Sequence, residues 1–296
     1  MRLLVTGTGG QLVQSLLERA HGRAQVEMLT VGRPEVDLEI PGSVGEAIGR
    51  AAPDLVINAA AYTDVDRAED EPDRAHRINA EAAGEAAAAA CRLGAPFIQI
   101  STDYVFDGEA RDPYTEEALP NPIGAYGRSK FAGEEAVRAA TPDHLILRTS
   151  WVYGPFGRNF VRTMFEAAER NDQLRVVADQ RGSPTAALDL ALGVLAVAER
   201  WRDGSRMGRG ETYHLAGRGA ATWFQLAEQV MSQRRSLGLA AAELTPITTE
   251  EWPTRARRSR NSMLDSGKFE RDFGFQMPAW QASVASTVER LAKQDE

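Results

Sequence analysis

Cysteine is almost absent: Cys91 alone stands in the 296 residues. No disulfide can form within the chain, and an Ala-rich helical setting makes Cys91 read as a small buried hydrophobe. Positive charge is also short, with 34 Lys and Arg against 42 Asp and Glu for a net charge of −8. The charges are scattered, so no basic stripe is available to neutralise a phosphodiester backbone, and nucleic acid is not expected as a partner. No apolar run reaches the roughly 18 residues a membrane span needs. The start, Met1 to Thr6, meets glycine after about five residues, too short for a signal-peptide core. A cytoplasmic protein without membrane association is expected. The four histidines, His21, His76, His144 and His214, are spread along the chain, which argues against a catalytic metal.

What is present is an alternation. Short apolar runs at Arg2–Thr6, Glu27–Val31, Leu55–Asn58, Phe97–Ser101 and Leu145–Arg148 are separated by helix-length segments at Gln11–Ala20, Val44–Ala51, Ala75–Leu93 and Tyr126–Ala139. This is the βαβ pattern of a parallel sheet covered by helices on both faces. After Trp151 the pattern loosens into a helix over Phe160–Arg170, a strand over Leu174–Ala178, a turn at 182–184, a helix over Ala187–Trp201, strands near Thr212–Ala216 and Thr245–Ile247, and a final helix over Trp280–Lys293. The reading is α/β: a Rossmann-type doubly wound parallel sheet with a smaller, interleaved C-terminal α/β domain. Residues 1–150 form the first domain and 151–296 mainly the second, with a segment near 187–230 returning to the first.

Between the first strand and the first helix lies Gly7-Thr8-Gly9-Gly10-Gln11-Leu12. A dinucleotide diphosphate binds at such a place, because free N–H groups and the helix dipole favour an anion and glycine lets it approach. A Gly-rich turn can also be a plain connection, so its position in a βαβ unit is what gives it weight. The second strand is followed by Gly32 and Arg33 where an acidic residue often holds the adenosine ribose. Arginine suits a 2′-phosphate, which favours NADPH and leaves NADH open, although a solvated surface charge is the ordinary reading. Asp37, ahead of Leu38, reads as a residue beside adenine or as a turn residue.

Tyr126-Gly127-Arg128-Ser129-Lys130 places a phenol and an amine four residues apart on one helix face. A positive charge about 5 Å from a phenol favours phenolate by roughly 3 kcal/mol, so Lys130 is expected to tune Tyr126 toward neutral pH. Six tyrosines and three lysines make such a pair by accident at a chance of about 6 %. The fourth strand ends in Ser101-Thr102, at the sheet edge where ligands bind, so a hydroxyl there can hold a carbonyl oxygen. Alone, these two residues would read as a strand cap.

The motifs Gly7-x-x-Gly10-Gln11-Leu12, Asn58 to Glu69, Ser101 to Gly108, Tyr126-x-x-x-Lys130, Arg148 to Gly154, Asp179-Gln180-x-Gly182-x-Pro184-Thr185 and Arg258-x-x-Asn261-Ser262 come in the order and spacing of one family. The chain resembles the dTDP-4-dehydrorhamnose reductases, extended short-chain dehydrogenase/reductases, over nearly its whole length. The resemblance implies a catalytic set of Thr102, Tyr126 and Lys130. It implies Gly7, Gly10, Gln11 and Leu12 at the diphosphate, and Ala61, Tyr62 and Thr63, with Tyr126 and Lys130, beside the cofactor. Asp103, Trp151 and Arg258 would contact the nucleotide sugar, with a core aromatic and a solvated cluster (Arg255, Arg257, Arg258, Arg260) as the ordinary readings. It further implies a homodimer and leaves Mg²⁺ open, as in some members. Val13 stands where the family has a third glycine, Ser259 replaces a proline and Met263 a basic residue. Those departures leave the identity of the nucleotide sugar open, and the resemblance admits two other functions: a non-catalytic NADP-binding subunit, of a kind known among relatives, or a reductase or epimerase of another 4-keto-6-deoxy nucleotide sugar.

Overall fold

Strands apolar on both faces must be covered on both faces, and the computed structural model, which describes residues 1–294, is built that way. Asp295 and Glu296, the end of the segment expected over 151–296, lie outside the described residues. Among the described residues, the large sheet comprises β1 (Arg2–Thr6), β2 (Glu27–Val31), β3 (Leu55–Asn58), β4 (Phe97–Thr102), β5 (His144–Thr149) and β6 (Glu211–His214), all parallel, in the order β6-β5-β4-β3-β1-β2. Since β2 and β3 flank β1 on opposite sides, their connections diverge and open a crevice at the carboxyl ends of β1 and β3.

On one face α1 (Gln11–Ala20) and α6 (Ala187–Arg202) bury Leu12, Leu16, Leu190 and Val194 against Leu3, Val5 and Ile57. On the other, α2 (Ser43–Ala51), α3 (Ala82–Arg92) and α4 (Ala125–Ala140) bury Val44, Ile48, a run of alanines and Val137 against Leu4, Val56 and Phe97. Small side chains let these helices approach closely: a Cβ on Gly84 would stand 3.1 Å from that of Ala136. Cys91 departs from expectation, because it falls on the outer side of α3 and is exposed.

A second core gathers α5 (Phe160–Ala167), α7 (Trp223–Ser236) and α9 (Trp280–Ala292). Of the stretch 187–230, α6 and β6 join the large sheet, whereas α7 packs in this second core. Helix α7 was not singled out in the sequence because its surface is mostly polar. Its start was nevertheless encoded, as Thr222 and Gln225 form a capping box. The short helix α8 (Gly267–Phe273), also unforeseen, sends Phe269 and Phe273 back to the first core. Arg181–Gly182 pairs with Asn261–Ser262 and Ala221–Thr222, and Val152–Tyr153 with Thr185–Ala186, tying the later chain beside the crevice. Among the described residues no helix is long and apolar enough to cross a membrane.

Candidate active site

The glycine turn is shaped by backbone contact. Gly7 has φ +98° and donates its N–H to the Val31 carbonyl at 2.7 Å, while a Cβ on Gly32 would stand 3.2 Å from the Gly7 Cα. Helix α1 then starts on Gly10 without a side-chain cap, so its first N–H groups face the crevice unpartnered by side chains. Around Gly9 a Cβ would meet nothing within 4 Å. Gln11 donates to the Val152 carbonyl at 3.4 Å and keeps a buried, unpaired Oε1. A cradle lined by backbone N–H groups at a helix start fits a dinucleotide diphosphate. Val13, where the family has glycine, is buried and lays Cγ2 3.3 Å from the position a Gly7 Cβ would take. It fills the space under the turn and leaves the helix start in place.

A buried polar row fixes the strand ends next to this turn. Thr6 donates to Asn58 Oδ1 at 2.6 Å, Asn58 donates to Gln99 Oε1 at 2.8 Å, and the Thr6 hydroxyl accepts from the N–H groups of Ala59 and Ala60. The chain thereby bends into Ala61-Tyr62-Thr63. Asn79 holds that loop from below, accepting from Tyr62 N at 2.8 Å and donating to the Tyr62 carbonyl and to Ser129 Oγ. Asn79 lies in a π-helical turn, Arg77–Glu81, that interrupts the helix expected over Ala75–Leu93. The wider i→i+5 turn swings the Asn79 side chain inward, a use typical of π-turns. A lone Asn in an alanine-rich stretch was the available signal, and it was not read.

Arg33 is exposed beyond β2, and Leu38 packs against the second face of the sheet. Asp37 is engaged as a turn residue, accepting from the Glu39 N–H at 3.0 Å.

Helix α4 brings Tyr126 and Lys130 to the carboxyl end of β4. Its N-terminus is capped from a distance, as Glu69 accepts from the Ala125 N–H at 2.7 Å. Both side chains are buried, at 9 % and 4 % exposure. The expected tuning of the phenol by Lys130 is not what this geometry produces. The Lys130 amine donates to the Ile100 carbonyl at 2.7 Å, and burial draws its pKa down to about 8 against the pull of Glu134. Burial, with the Asp103 carboxylate beside it, pushes the Tyr126 phenol above its ordinary value, while the Thr102 hydroxyl acts in the opposite direction. The phenol is therefore held protonated, the form a proton donor needs.

Successive residues of β4 face opposite ways, and this separates the two hydroxyls considered together in the sequence. Ser101 donates to Glu134 Oε1 at 2.6 Å, where Glu134 is clamped by Nε and Nη2 of Arg148. Ser101 is thus part of a buried ion-pair cluster under α4. Thr102 instead donates to Asp103 Oδ1 at 2.8 Å, and the other Asp103 oxygen accepts from Ser150 at 2.9 Å. Burial lifts the Asp103 carboxyl to about 6, against those hydrogen bonds.

Arg258 is not a free cation. It donates to Tyr104 Oη at 3.0 Å and to Asp66 Oδ2 at 2.6 Å, while Arg255 pairs with Asp70. Ser259 presses on Gly108, where a Cβ would stand 2.4 Å from its own, and Met263 is buried. The 255–263 segment therefore lies against the loop that follows β4. Trp151 stacks on Trp223, with ring centroids 3.5 Å apart. Among the described residues no group of three or more His, Cys, Asp or Glu is placed to hold a metal ion, so Mg²⁺ finds no cage of side chains.

The family model described as RmlD substrate binding domain matches residues 1–293. A dTDP-4-dehydrorhamnose reductase of Sinorhizobium fredii is 45 % identical over 97 % of both chains. The crystal structure of a dTDP-4-dehydrorhamnose reductase from Clostridium acetobutylicum superposes with a TM-score of 0.90 at 37 % identity, covering 99 % of this chain and 100 % of that one. One from Bacillus anthracis, in complex with NADP, gives 0.90 at 33 %, covering 98 % and 99 %.

Proposed function

The chain belongs to the dTDP-4-dehydrorhamnose reductase family of oxidoreductases, and from that premise we propose that it reduces the C4 ketone of dTDP-4-dehydro-L-rhamnose, with NADPH as hydride source, to give dTDP-L-rhamnose. The observation that carries this reading is the buried, protonated Tyr126 beside Lys130 and Thr102 at the mouth of the crevice. NADPH, when bound, supplies the hydride. Gly10, Gln11 and Leu12 would hold its diphosphate by backbone N–H groups, with Gly7, whose N–H is taken by Val31, shaping the turn beneath it; Arg33 is the cation available to a 2′-phosphate, and Ala61, Tyr62 and Thr63 wall the site.

Tyr126 gives its phenolic proton to the C4 oxygen as charge develops there. Thr102 positions the same oxygen. Lys130, charged below about pH 8, holds the nicotinamide ribose. Asp103 and Trp151 contact the sugar, and Arg258 faces the nucleotide diphosphate after exchanging Asp66 for it, since a guanidinium serves either anion. In this reading residues 1–150 carry the cofactor and the later chain, apart from α6 and β6, carries the substrate. The enzyme works in the cytoplasm as a homodimer, which sedimentation would check.

The test is NADPH consumption with dTDP-4-keto-6-deoxy-L-mannose, the same sugar. Tyr126→Phe should cut turnover by about 10²- to 10⁴-fold and leave the Kd for NADPH nearly unchanged. Undiminished turnover would refute the proton-donor role. Binding of NADPH without turnover in the unmodified protein would instead favour a regulatory subunit, and sugar conversion without net NADPH loss an epimerase.

A further inference from the structure

A bulky residue at positive φ persists only where its surroundings over-determine it. Trp151 has φ +47°, and its indole is gripped from two sides. Trp223 lies parallel to it, with ring centroids 3.5 Å apart and planes 6° from parallel. Gly182 is pressed against the junction of its two rings: a Cβ there would stand 2.3 Å from Cε2, 2.6 Å from Nε1 and 2.7 Å from Cζ2. Only glycine leaves room for the indole at that position.

Both jaws are themselves fixed. Thr222 caps α7, so Trp223 sits at the rigid first position of the helix, and Phe160 leans on its ring at 4.7 Å. The Trp223 Nε1–H donates to Gln180 Oε1 at 3.1 Å, and Gln180 donates to the Thr249 hydroxyl at 3.0 Å. Thr249 in turn donates to the Asp179 carboxylate at 2.7 Å. Gly182 is held by pairing on both sides, with Ala221 and with Ser262. The motif Asp179-Gln180-x-Gly182 thus has a physical task that the proton-transfer chemistry leaves unexplained.

We infer that Trp223 and Gly182 form a clamp that holds Trp151 as a fixed wall of the sugar subsite, so that Trp223 is a positioning residue setting affinity for the sugar ring of the nucleotide sugar. This rests on the assignment of Trp151 to the sugar. A wall free to change rotamer would have to be ordered at each binding event, whereas a clamped one loses no freedom then.

Four variants test it: Trp151→Ala, Trp223→Ala, Trp223→Phe and Gly182→Ala, each assayed for KM of the nucleotide sugar, kcat, NADPH Kd and Tm. Trp223→Ala should raise the sugar KM by roughly two- to tenfold, the span of an aromatic pair, with kcat and NADPH Kd little changed. Trp223→Phe should restore most of the affinity, and Gly182→Ala, which displaces the indole, should raise KM in the same sense. The double variant Trp151→Ala/Trp223→Ala should be no worse in KM than Trp151→Ala alone, a non-additivity that a merely structural role would not give. A raised KM in Trp151→Ala with no change in Gly182→Ala and Trp223→Ala overturns the clamp. No change in Trp151→Ala overturns the assignment of Trp151 to the sugar instead. Should Trp223→Ala fail to fold, Gly182→Ala and Trp223→Phe still decide: an unmoved KM in Gly182→Ala sinks the inference.

Discussion

At the scale of single residues, the site stores its protons by burial. Tyr126 is kept as the acid by desolvation, Lys130 is brought down to about 8, and Asp103 is brought up to about 6. These values define a pH window. Above about 8 Lys130 loses its charge and, in the proposed mechanism, its hold on the nicotinamide ribose weakens. Below about 6 Asp103 takes up a proton and, in the proposed mechanism, no longer offers the sugar a carboxylate. kcat/KM measured against pH should therefore form a plateau between about 6 and 8 and fall on both sides. Asp103→Asn should flatten the acid limb while leaving the alkaline limb, and an unaltered acid limb would remove Asp103 from the account. The spacing Tyr126-x-x-x-Lys130 was legible because a helix period is a local property. The direction in which each group is shifted was not, because burial and the nearness of Asp103 belong to the folded chain.

At the scale of elements, helix α4, which carries Tyr126 and Lys130, is placed by a close crossing. Gly133 passes the π-turn Arg77–Glu81 so tightly that a Cβ would stand 2.1 Å from the Asn79 carbonyl oxygen, a backbone atom that cannot rotate away. Gly133→Ala must push α4 and the π-turn apart. An overpacking cost of about 1–3 kcal/mol follows, together with a shift of Tyr126 relative to the Tyr62 loop, which Asn79 ties to Ser129 of α4. Thermal unfolding should show a lower Tm and assays a reduced kcat. A variant with normal Tm and full turnover would show that the crossing does not set the site. The ion pair beneath α4 offers a second measurement. Arg148→Met strips both Arg148 bonds from fully buried Glu134 but leaves it Arg138 and Ser101, so it should cost less than the roughly 3–5 kcal/mol of an uncompensated buried charge, read by chemical denaturation. Strands β1 to β3 coincide with the expected boundaries because continuous apolar runs between breakers have few other solutions. The π-turn and α7 escaped because both depend on partners distant in sequence.

At the scale of the whole molecule, one buried histidine joins distant parts of the chain. His214 on β6 lies against the Tyr114 carbonyl through Nδ1 at 3.0 Å, its backbone N–H donates to Glu116 Oε1 at 2.7 Å, and Tyr114 bridges to Leu264. Burial, with Arg148 nearby, lowers its pKa to about 3. The folded pKa lies below the unfolded value near 6.5, so the unfolded chain takes up the proton first. This contribution to stability is intact above about 6.5 and is lost as pH falls toward 3, at up to about 1.4 kcal/mol per pH unit. Asp103, raised to about 6, acts in the opposite sense between 6 and the ordinary carboxylate range, and partly offsets the loss. Between pH 7 and pH 5 the denaturant midpoint of His214→Gln should fall less, or rise more, than that of the unmodified protein; equal changes would exclude His214 as a contributor.

The sequence by itself determined the parallel α/β sheet, the glycine turn at its first crossover, the Tyr126–Lys130 pair and the family, because periodicity, turn chemistry and short spacings are properties of neighbouring residues. Only the tertiary structure decided that Ser101 serves Glu134 while Thr102 faces Asp103, that Arg258 is paired with Asp66, that Asn79 buttresses the Tyr62 loop, and that Trp151 is clamped by Trp223. Each of these depends on side chains brought together across tens of residues, in surroundings whose dielectric and available partners do not exist until the chain is packed.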